Sequence, residues 1–415
     1  MAFEDPIWTT TPRRIVVPFR ASQREIPGLE HAPDPLPIRP AAFPDPTTIP
    51  PRQWLYGTDV LRGYVTVIVA PGAVGKSTIA YAMALALASG KAILKDYIHQ
   101  RVDVAMFPLE DPEEETDRRM IACMMRHRID ETDLRGRVHV MHAEDHQLLI
   151  ATKDVDGYTI AYPDENALIA KVIELNLGLL IVDPFVNCHE LDENSPAEMN
   201  SVARAWLRVA RATNCAIILV HHTRKGALSG DIDGGRGAKS LTDAARVGLT
   251  LAVMTEEEAK EFNIRPDDRR QYVRLDNAKA NLAPAGSARW FRLESVALGN
   301  GTADYPNGDH VQAIARWDPP SLWAKVAVPD IHEALDLIAA GMPDGRLYTP
   351  TKAGRNSARW CGNVVMDALC VDETQAKLMV GQWLKSGLLE KISVEDPVTR
   401  KDVAGVVVNN SKRPE

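Results

Sequence analysis

Between residues 54 and 291 the chain alternates short apolar, β-branched runs with longer stretches whose apolar residues recur every three or four positions. The short runs cover 65–70, 102–109, 138–141, 179–183, 216–221, 247–253 and 272–275. Several are apolar throughout, as strands covered on both faces should be. The intervening stretches 77–89, 113–128, 166–175 and 196–213 read as helices. This alternation predicts an α/β fold with a mostly parallel, doubly wound sheet and helices on both faces.

The pattern differs at both ends. From residue 321 onward, three helical stretches (331–340, 362–369 and 374–387) precede two strand-like runs (388–394 and 403–408) joined by a turn over 395–401. Three helices and a two-stranded wing predict a winged-helix-like C-terminal domain. Residues 1–51 hold 12 of the 28 prolines. Proline removes backbone donors and disfavours helix, so an extended arm is expected there, serving as a linker or packing arm. The expected organisation is an arm over 1–51, an α/β domain over 52–320 and the winged-helix-like domain over 321–415. No internal repeat is visible.

Composition narrows the function. The 415 residues carry 48 Lys+Arg against 56 Asp+Glu, a net charge of −8. That excludes a simple basic nucleic-acid coat but not a local basic channel. No apolar run approaches the ~18–20 residues of a membrane span, and the first residues lack the order of a secretory leader. Cys123, Cys188, Cys215, Cys361 and Cys370 are scattered, with no C-x-x-C, and are expected to be reduced thiols of a cytoplasmic protein.

The strongest chemical signal is the stretch Ala70-Pro71-Gly72-Ala73-Val74-Gly75-Lys76-Ser77-Thr78. An apolar strand runs into a tight Gly-containing loop, and a helix opens on Lys-Ser-Thr. Loop amides and a helix N-terminus offer donors to phosphate oxygens. Lys76 is placed for the β- and γ-phosphates of ATP and Ser77 for Mg²⁺. Ala70 stands where the usual pattern has its first glycine. The bland alternative is a Gly-rich turn before a helix, which the flanking strand and helix disfavour.

Hydrolysis also needs a carboxylate in the metal shell, a group that orients water and positive charge at the γ-phosphate. Strand ends supply the candidates. Four apolar residues lead into Asp183, the shape of a Walker B strand. Residues 104–109 lead into Glu110 and Asp111. Glu110 is the candidate base or water orienter, and Asp111 the alternative helix cap. Residues 217–220 lead into His221 and His222, where a polar group can sense the γ-phosphate.

Together these residues resemble a RecA-type core, and most closely the hexameric replicative helicases of the plasmid RepA family, relatives of DnaB. The likeness rests on 70–78, Leu109 to Pro112 with Arg118 and Arg119 beyond, 180–184, 192–194, 221–226, Arg236-Gly237, 243–246, and 273–281 with Trp290-Phe291. It implies a ring-forming ATPase that moves on single-stranded DNA. By that resemblance Lys76 and Ser77 contact phosphate and Mg²⁺, Glu110 is the catalytic glutamate, Asp183 the Walker B aspartate and His222 the sensor. Arg119 is a further active-site arginine. Arg246 reaches the neighbouring subunit's nucleotide, and Lys279 also points across that interface. DnaB carries Lys-x-Arg where this chain has Lys279-Ala280-Asn281. The trans cation is therefore expected to be Arg246, Lys279 or both, which requires head-to-tail packing.

The Gly-rich stretch 223–237, with Arg224, Lys225, Arg236 and then Lys239, is the candidate DNA-tracking loop. Asp231 and Asp233 weaken its charge, and it has no aromatic for base stacking. The acidic 187–196 segment is a lesser candidate. The tail from 321 balances 12 Lys+Arg with 12 Asp+Glu, so duplex DNA and a protein partner are equally open there. Arg355, Arg359, Arg400 and Lys401 are the candidate basic patch. His139, His142 and His146 have metal-like spacing without a completing ligand. Trp54 and Tyr56 are expected to pack in the core rather than stack on adenine. The expected function is an ATP- and Mg²⁺-dependent hexameric DNA helicase or translocase of plasmid or phage replication. The alternative is a RecA-type ATPase that acts as a filament or switch on DNA or a protein partner without unwinding.

Overall fold

The computed structural model describes residues 38–414 except 155, 158, 223–237, 281, 283–287, 320–322, 324, 325, 353–357 and 397–399; of 238–240 and 280 it describes the backbone alone. The chain divides into two units, Met1–Pro51 and Arg52–Glu415. In the first, every described residue is exposed. A single 3-10 turn, Pro46–Thr48, starts on Asp45, whose carboxylate accepts the Thr47 N–H at 2.8 Å.

The second unit opens with a small hairpin, β1 (Trp54–Tyr56) and β2 (Val60–Leu61). A nine-stranded sheet follows, built from β3 (Val65–Ala70), β4 (Asp103–Pro108), β5 (Val138–Val140), β8 (Leu177–Asp183), β9 (Ala216–His222), β10 (Val247–Val253), β11 (Tyr272–Ala280), β12 (Arg289–Ala297) and β13 (His310–Trp317). A short separate ladder pairs β6 (Thr152–Lys153) with β7 (Ile160–Ala161). The large sheet runs β13-β12-β11-β10-β3-β9-β8-β4-β5. The six strands from β10 to β5 are mutually parallel. β11, β12 and β13 extend them antiparallel. The sheet is therefore mostly parallel, as the sequence predicted, with an antiparallel extension of three strands that makes it mixed. Its last two strands alternate buried with exposed or charged residues, so they lack the continuous apolar run that marks the central strands.

Alternate residues of the central strands feed two cores. Val65, Val67, Val69, Ile217 and Leu219 join Leu180 and Val182 on one face, beneath α4 (Glu165–Glu174), α5 (Pro196–Thr213) and α6 (Ala238–Ala244). Ile68, Ala70, Ile218, Val220, Leu179 and Ile181 face the other way, toward α1 (Lys76–Ser89), α2 (Glu113–His127) and α3 (Glu131–Leu134). A strand with both faces covered can be apolar throughout, which is why these were legible.

Helix α1 has no solvent face: eleven of its fourteen residues are buried. The sheet covers one side, and α2 and β13 pack on others. Arg126 pairs with Glu294 of β12, and His127 Nε2 meets the Ile314 carbonyl of β13 at 2.7 Å. The two ends of the sheet sequence thus close around one helix. β12 is also tied to the β1–β2 hairpin. Arg289 pairs with Asp59 at 2.5 Å and Asp96 at 2.9 Å, and the Tyr56 hydroxyl donates to Asp96 at 2.9 Å. Asp59 is 1% exposed, and burial pushes its carboxyl up against the opposing pull of Arg289. Tyr56 and Trp54 accordingly belong to the core, as expected.

After α7 (Glu256–Glu261) and the last sheet strands come α8 (Val328–Ala340), α9 (Cys361–Leu369), α10 (Glu373–Ser386) and the antiparallel pair β14 (Leu389–Glu395) and β15 (Asp402–Val408). These share their own core, including Leu335, Trp360, Val365, Met379, Trp383 and Val406. Arg359 does not belong to an exposed basic patch. It is buried, paired with Asp396 at 2.7 Å, and it also donates to the Leu347 carbonyl. Arg355 lies outside the described residues.

Arg289→Ala leaves Asp59 buried opposite nothing. Such a loss typically costs about 3–5 kcal/mol, so the urea midpoint should fall sharply. A cost below about 1 kcal/mol, within the range of exposed pairs, would show that the tie does not hold the hairpin.

Candidate functional site

The carboxyl ends of β3, β4, β8 and β9 meet at one edge of the sheet. Ala70 pairs with His222, and Pro108 with Asp183. The Leu109 N–H donates to the Asp183 carbonyl at 2.8 Å, which sets Glu110 beside that strand end. Above these tips lies a cleft of about 500 Å³, lined by the loop and helix start at 73–78, Glu110, Asp111, Asp183 and His222 on one side. Its other wall comes from Glu115, Arg118 and Arg119 of α2 and from Asp309 to Gln312.

The loop conformation follows from its glycines. Gly75 is the N-cap of α1 at φ +89°, a left-handed conformation that glycine adopts without strain. A Cβ there would also lie 2.9 Å from Leu293 Cδ2. Because Gly75 has no side chain, nothing caps the first turn of α1, and its amides stay available to an anion.

Lys76 is 5% exposed. Its Nζ donates to the Pro71 carbonyl at 2.8 Å and the Ala70 carbonyl at 3.2 Å, and it lies 3.0 Å from His222 Nδ1. Burial pushes its ammonium down to about 8, against the opposing pull of Asp183 and Glu110. Burial and then the Lys76 charge hold His222 below its ordinary value, against the opposing pull of Glu110. Asp183 is 7% exposed; burial raises its carboxyl, while the Ser77 hydroxyl and Lys76 pull it back. Ser77 at the start of α1 and Asp183 at the end of β8 are hard oxygen donors, fitting for Mg²⁺. Among the described residues no three metal-ligating side chains cluster. A divalent ion here would draw its remaining ligands from phosphate oxygens and water.

The sequence candidates among the described residues can be placed one by one. Lys76, Ser77, Glu110, Asp183 and His222 converge on the cleft, with Glu110 exposed into it. His221 points away, buried, its ring edge on Phe185 at 5.6 Å. Arg119 lines the cleft but is engaged by Asp111 at 2.5 Å and Glu115 at 2.9 Å. Asp111 therefore does not cap α2, whose N-cap is Pro112.

Arg246 lies elsewhere. Its N–H meets the Val65 carbonyl at 3.3 Å, at the start of β3, whereas the phosphate loop leaves the end of that strand. Five residues of strand separate the levels, about 16 Å. The Arg246 side chain is exposed, with no ion-pair or hydrogen-bond partner among the described residues. Lys279 Nζ donates to the Thr242 and Asp243 carbonyls at 2.6 and 3.0 Å, closing the end of α6. Arg224, Lys225 and Arg236 lie outside the described residues; Lys239 is in α6, its side chain undescribed.

The sequence missed Glu115 and the wall at 309–312. Glu115 sits four residues after Asp111 and four before Arg119, a helical spacing that was available as a signal. Residues 309–312 reach the cleft through the packing of β13 against α1 and α2, for which the sequence offers no local signal. His146, from the metal-like triplet, meets Asp164 at 3.0 Å. Cys123, Cys188, Cys215 and Cys361 are buried free thiols pushed up to about 12 by burial. Among the described residues no helix is long and apolar enough to cross a membrane.

Residues 32–227 match the AAA domain family. Among solved structures the chain is similar to the RadB recombinase (14% identity, 56% of this chain, 88% of that one, TM-score 0.37). It is also similar to the flagellar accessory protein FlaH from Methanocaldococcus jannaschii (13%, 56%, 86%, 0.36). A third is a DnaB-like replicative helicase whose structure describes its interactions with primase (13%, TM-score 0.38), where the likeness covers 56% of this chain and 55% of that one.

An anion can use only the charged form of Lys76, which exists below a pH of about 8. Affinity for a non-hydrolysable ATP analogue should hold up to that pH and then fall, approaching about tenfold per pH unit. Flat affinity to pH 9.5 would show that Lys76 does not hold the phosphates.

Proposed function

We propose that this chain, whose residues 32–227 match the AAA domain family, is an ATP- and Mg²⁺-dependent, ring-forming motor on single-stranded DNA, with its nucleotide sites shared between subunits. The observation that carries the reading is a division of labour. One end of the sheet gathers Lys76, Ser77, Glu110, Asp183 and His222, while Arg246, without a partner among the described residues, stands exposed at the other.

The triphosphate lies along the amides at the start of α1, and Lys76 exchanges the Ala70 and Pro71 carbonyls for phosphate oxygens. Bound at Ser77 and Asp183, Mg²⁺ neutralises charge on the β- and γ-phosphates. Glu110 orients water at the γ-phosphate, and its exposure leaves room for that water. His222, next to Lys76, feels whether the γ-phosphate is present. It is followed directly by 223–237, the stretch proposed to touch DNA through Arg224, Lys225, Arg236 and Lys239. Arg246 completes the site of the next subunit, since its own is about 16 Å away. Lys279 holds the neighbouring end of α6 rather than reaching outward. Head-to-tail packing of this kind closes into a ring, and a hexamer is the proposed size. The 321–415 region, proposed as a winged helix, docks a protein partner or duplex DNA. On α10, Lys377 is tied to Glu373 at 2.7 Å, and Lys352 also bonds that carboxylate. This leaves little free charge for duplex DNA and favours the protein. The proposed compartment is the cytoplasm.

Displacement of a labelled strand from a forked duplex tests the motor. ATP hydrolysis stimulated by single strands without displacement would favour the switch reading instead. Lys76→Ala should abolish turnover. Arg246→Ala should keep nucleotide affinity yet cut turnover, by up to the 10³–10⁵ factor an arginine finger supplies, about 4–7 kcal/mol. Mixing it with Glu110→Gln subunits should restore part of the activity, because some interfaces then join an intact Glu110 to an intact Arg246. Absence of rescue at every ratio would rule out a shared site.

A further inference from the structure

The stretch proposed to meet DNA, 223–237, has no aromatic for base stacking. An aromatic open to stacking stands at the end of the sheet opposite the cleft, in the connection between α1 and β4. There Tyr97 is 70% exposed, in a loop whose backbone is fixed on both sides of it. We infer that Tyr97, with His99 and Arg62, forms a second contact for single-stranded nucleic acid: a base stacks on the Tyr97 ring and the Arg62 guanidinium holds a neighbouring phosphate. The inference rests on the single-stranded-DNA part of the reading above and does not involve the nucleotide cleft.

The loop is tied to the β1–β2 hairpin. Tyr56 and Ile98 form an antiparallel bridge. The Gly57 N–H donates to the Tyr97 carbonyl at 2.8 Å, and the His99 N–H to the Leu55 carbonyl at 3.0 Å. His99 Nε2 meets the Gly57 carbonyl at 3.0 Å, and its ring stands edge-on to Tyr97, with centroids 4.8 Å apart at 85°. Ile98, between the two, packs against the core that contains α1. Extended backbone thus turns Tyr97 and His99 outward as it turns Ile98 inward. A ring whose backbone and neighbour are already fixed loses little freedom when a base stacks on it. Every base has a π-face, so such a platform tolerates any sequence.

Arg62 supplies the charge. Its guanidinium donates to Gln100 Oε1 at 3.3 and 3.2 Å and to the Asn214 carbonyl at 3.3 Å. These acceptors are neutral, and no carboxylate pairs with Arg62 among the described residues, so a phosphate can replace them at little cost. Asn214 is held in turn by Gln53, whose Oε1 accepts its Nδ2 at 2.9 Å. Asp59 and Asp96, close by in the chain, are turned inward onto Arg289. Lys95 is taken by Asp318 at 2.5 Å, which leaves the phosphate to Arg62. The patch is also separate from the cation proposed to serve the next subunit. Arg246 follows Ala245, which belongs to the core on the opposite face of the sheet from Ile98.

The test compares a labelled oligodeoxythymidylate with an abasic oligomer of the same length, which has the phosphates without the bases. Fluorescence anisotropy with the full-length protein reads both. Tyr97→Ala should weaken oligodeoxythymidylate about tenfold and leave the abasic oligomer within about twofold. Tyr97→Phe keeps the ring and should bind both as the wild type does. Arg62→Gln should weaken both oligomers alike and lower the salt slope of log K by about 0.7. ATP hydrolysis measured without DNA should be unchanged in all three variants. Tyr97→Ala protein that binds oligodeoxythymidylate as tightly as the wild type, or loses both oligomers equally, would overturn the assignment and leave the single-stranded-DNA reading standing. Wild-type protein that binds neither oligomer would overturn both.

Discussion

Everything at the cleft depends on the burial of one helix from every side. Helix α1 presents its uncapped N-terminus to the strand tips, and a helix end can do that reliably only if the body behind it cannot tilt. Close packing on all sides removes that freedom, because interiors tolerate even one displaced methylene poorly. The parallel strands supply one wall. α2 and the antiparallel β12–β13 extension supply others, locked by Arg126–Glu294 and His127–Ile314. The extension therefore has two jobs: it completes the core around α1 and brings 309–312 over the phosphate loop. A sheet that ended at β11 would leave α1 with an exposed apolar face and the cleft with one wall.

The electrostatics at the loop follow from the same burial. Lys76 sits in a site that disfavours its charge, offset by Asp183 and Glu110. Asp183 is in turn a carboxylate in a site that disfavours its own, offset by Ser77 and Lys76. Each charge is favoured by the other against a burial that disfavours it, and a bound triphosphate with its cation would change both balances at once. His222 lies on that balance through its 3.0 Å contact with Lys76. The residue after it opens the stretch proposed to meet DNA. On the proposed reading a change at the γ-phosphate would reach His222 directly or through Lys76, since both line the cleft.

Legibility in the sequence tracked locality. The phosphate loop, Asp183 and Glu110 were readable because each is a short motif at the end of a continuous apolar strand, and that continuity reflects two covered faces. The three C-terminal helices and their hairpin were readable from periodicity. β12 and β13 were not, because Arg292, Glu294, His310 and Gln312 interrupt them on one face and a polar loop separates them. Arg359 looked like surface charge because nothing local announces Asp396, 37 residues on, as its buried partner. The position of Arg246 was unreadable for a related reason. Which end of the sheet a strand begins at is a property of topology, and only the pairing of β10 with β3 reveals it.

That pairing bears on where the second cation at the γ-phosphate comes from. Transfer to water spreads negative charge over the γ-oxygens, and a lone lysine leaves much of it uncompensated. Within one subunit the other guanidiniums lining the cleft are Arg118 and Arg119. Arg119 is held by two carboxylates, Asp111 and Glu115, and freeing it would leave Asp111, already raised by burial, without its main counter-charge. Arg118 is held away by Asp309. The chain thus keeps Arg118 and Arg119 occupied at the cleft, while Arg246, without a partner among the described residues, stands at the opposite end of the same sheet. On the proposed shared-site reading the parts of a complete site lie in two places, and stacking copies so that one end of a sheet meets the other end of the next is the arrangement that would join them. A motor of the proposed kind benefits from that separation, because hydrolysis would then require the neighbour to be in position, and chemistry in one subunit would be conditional on the placement of another.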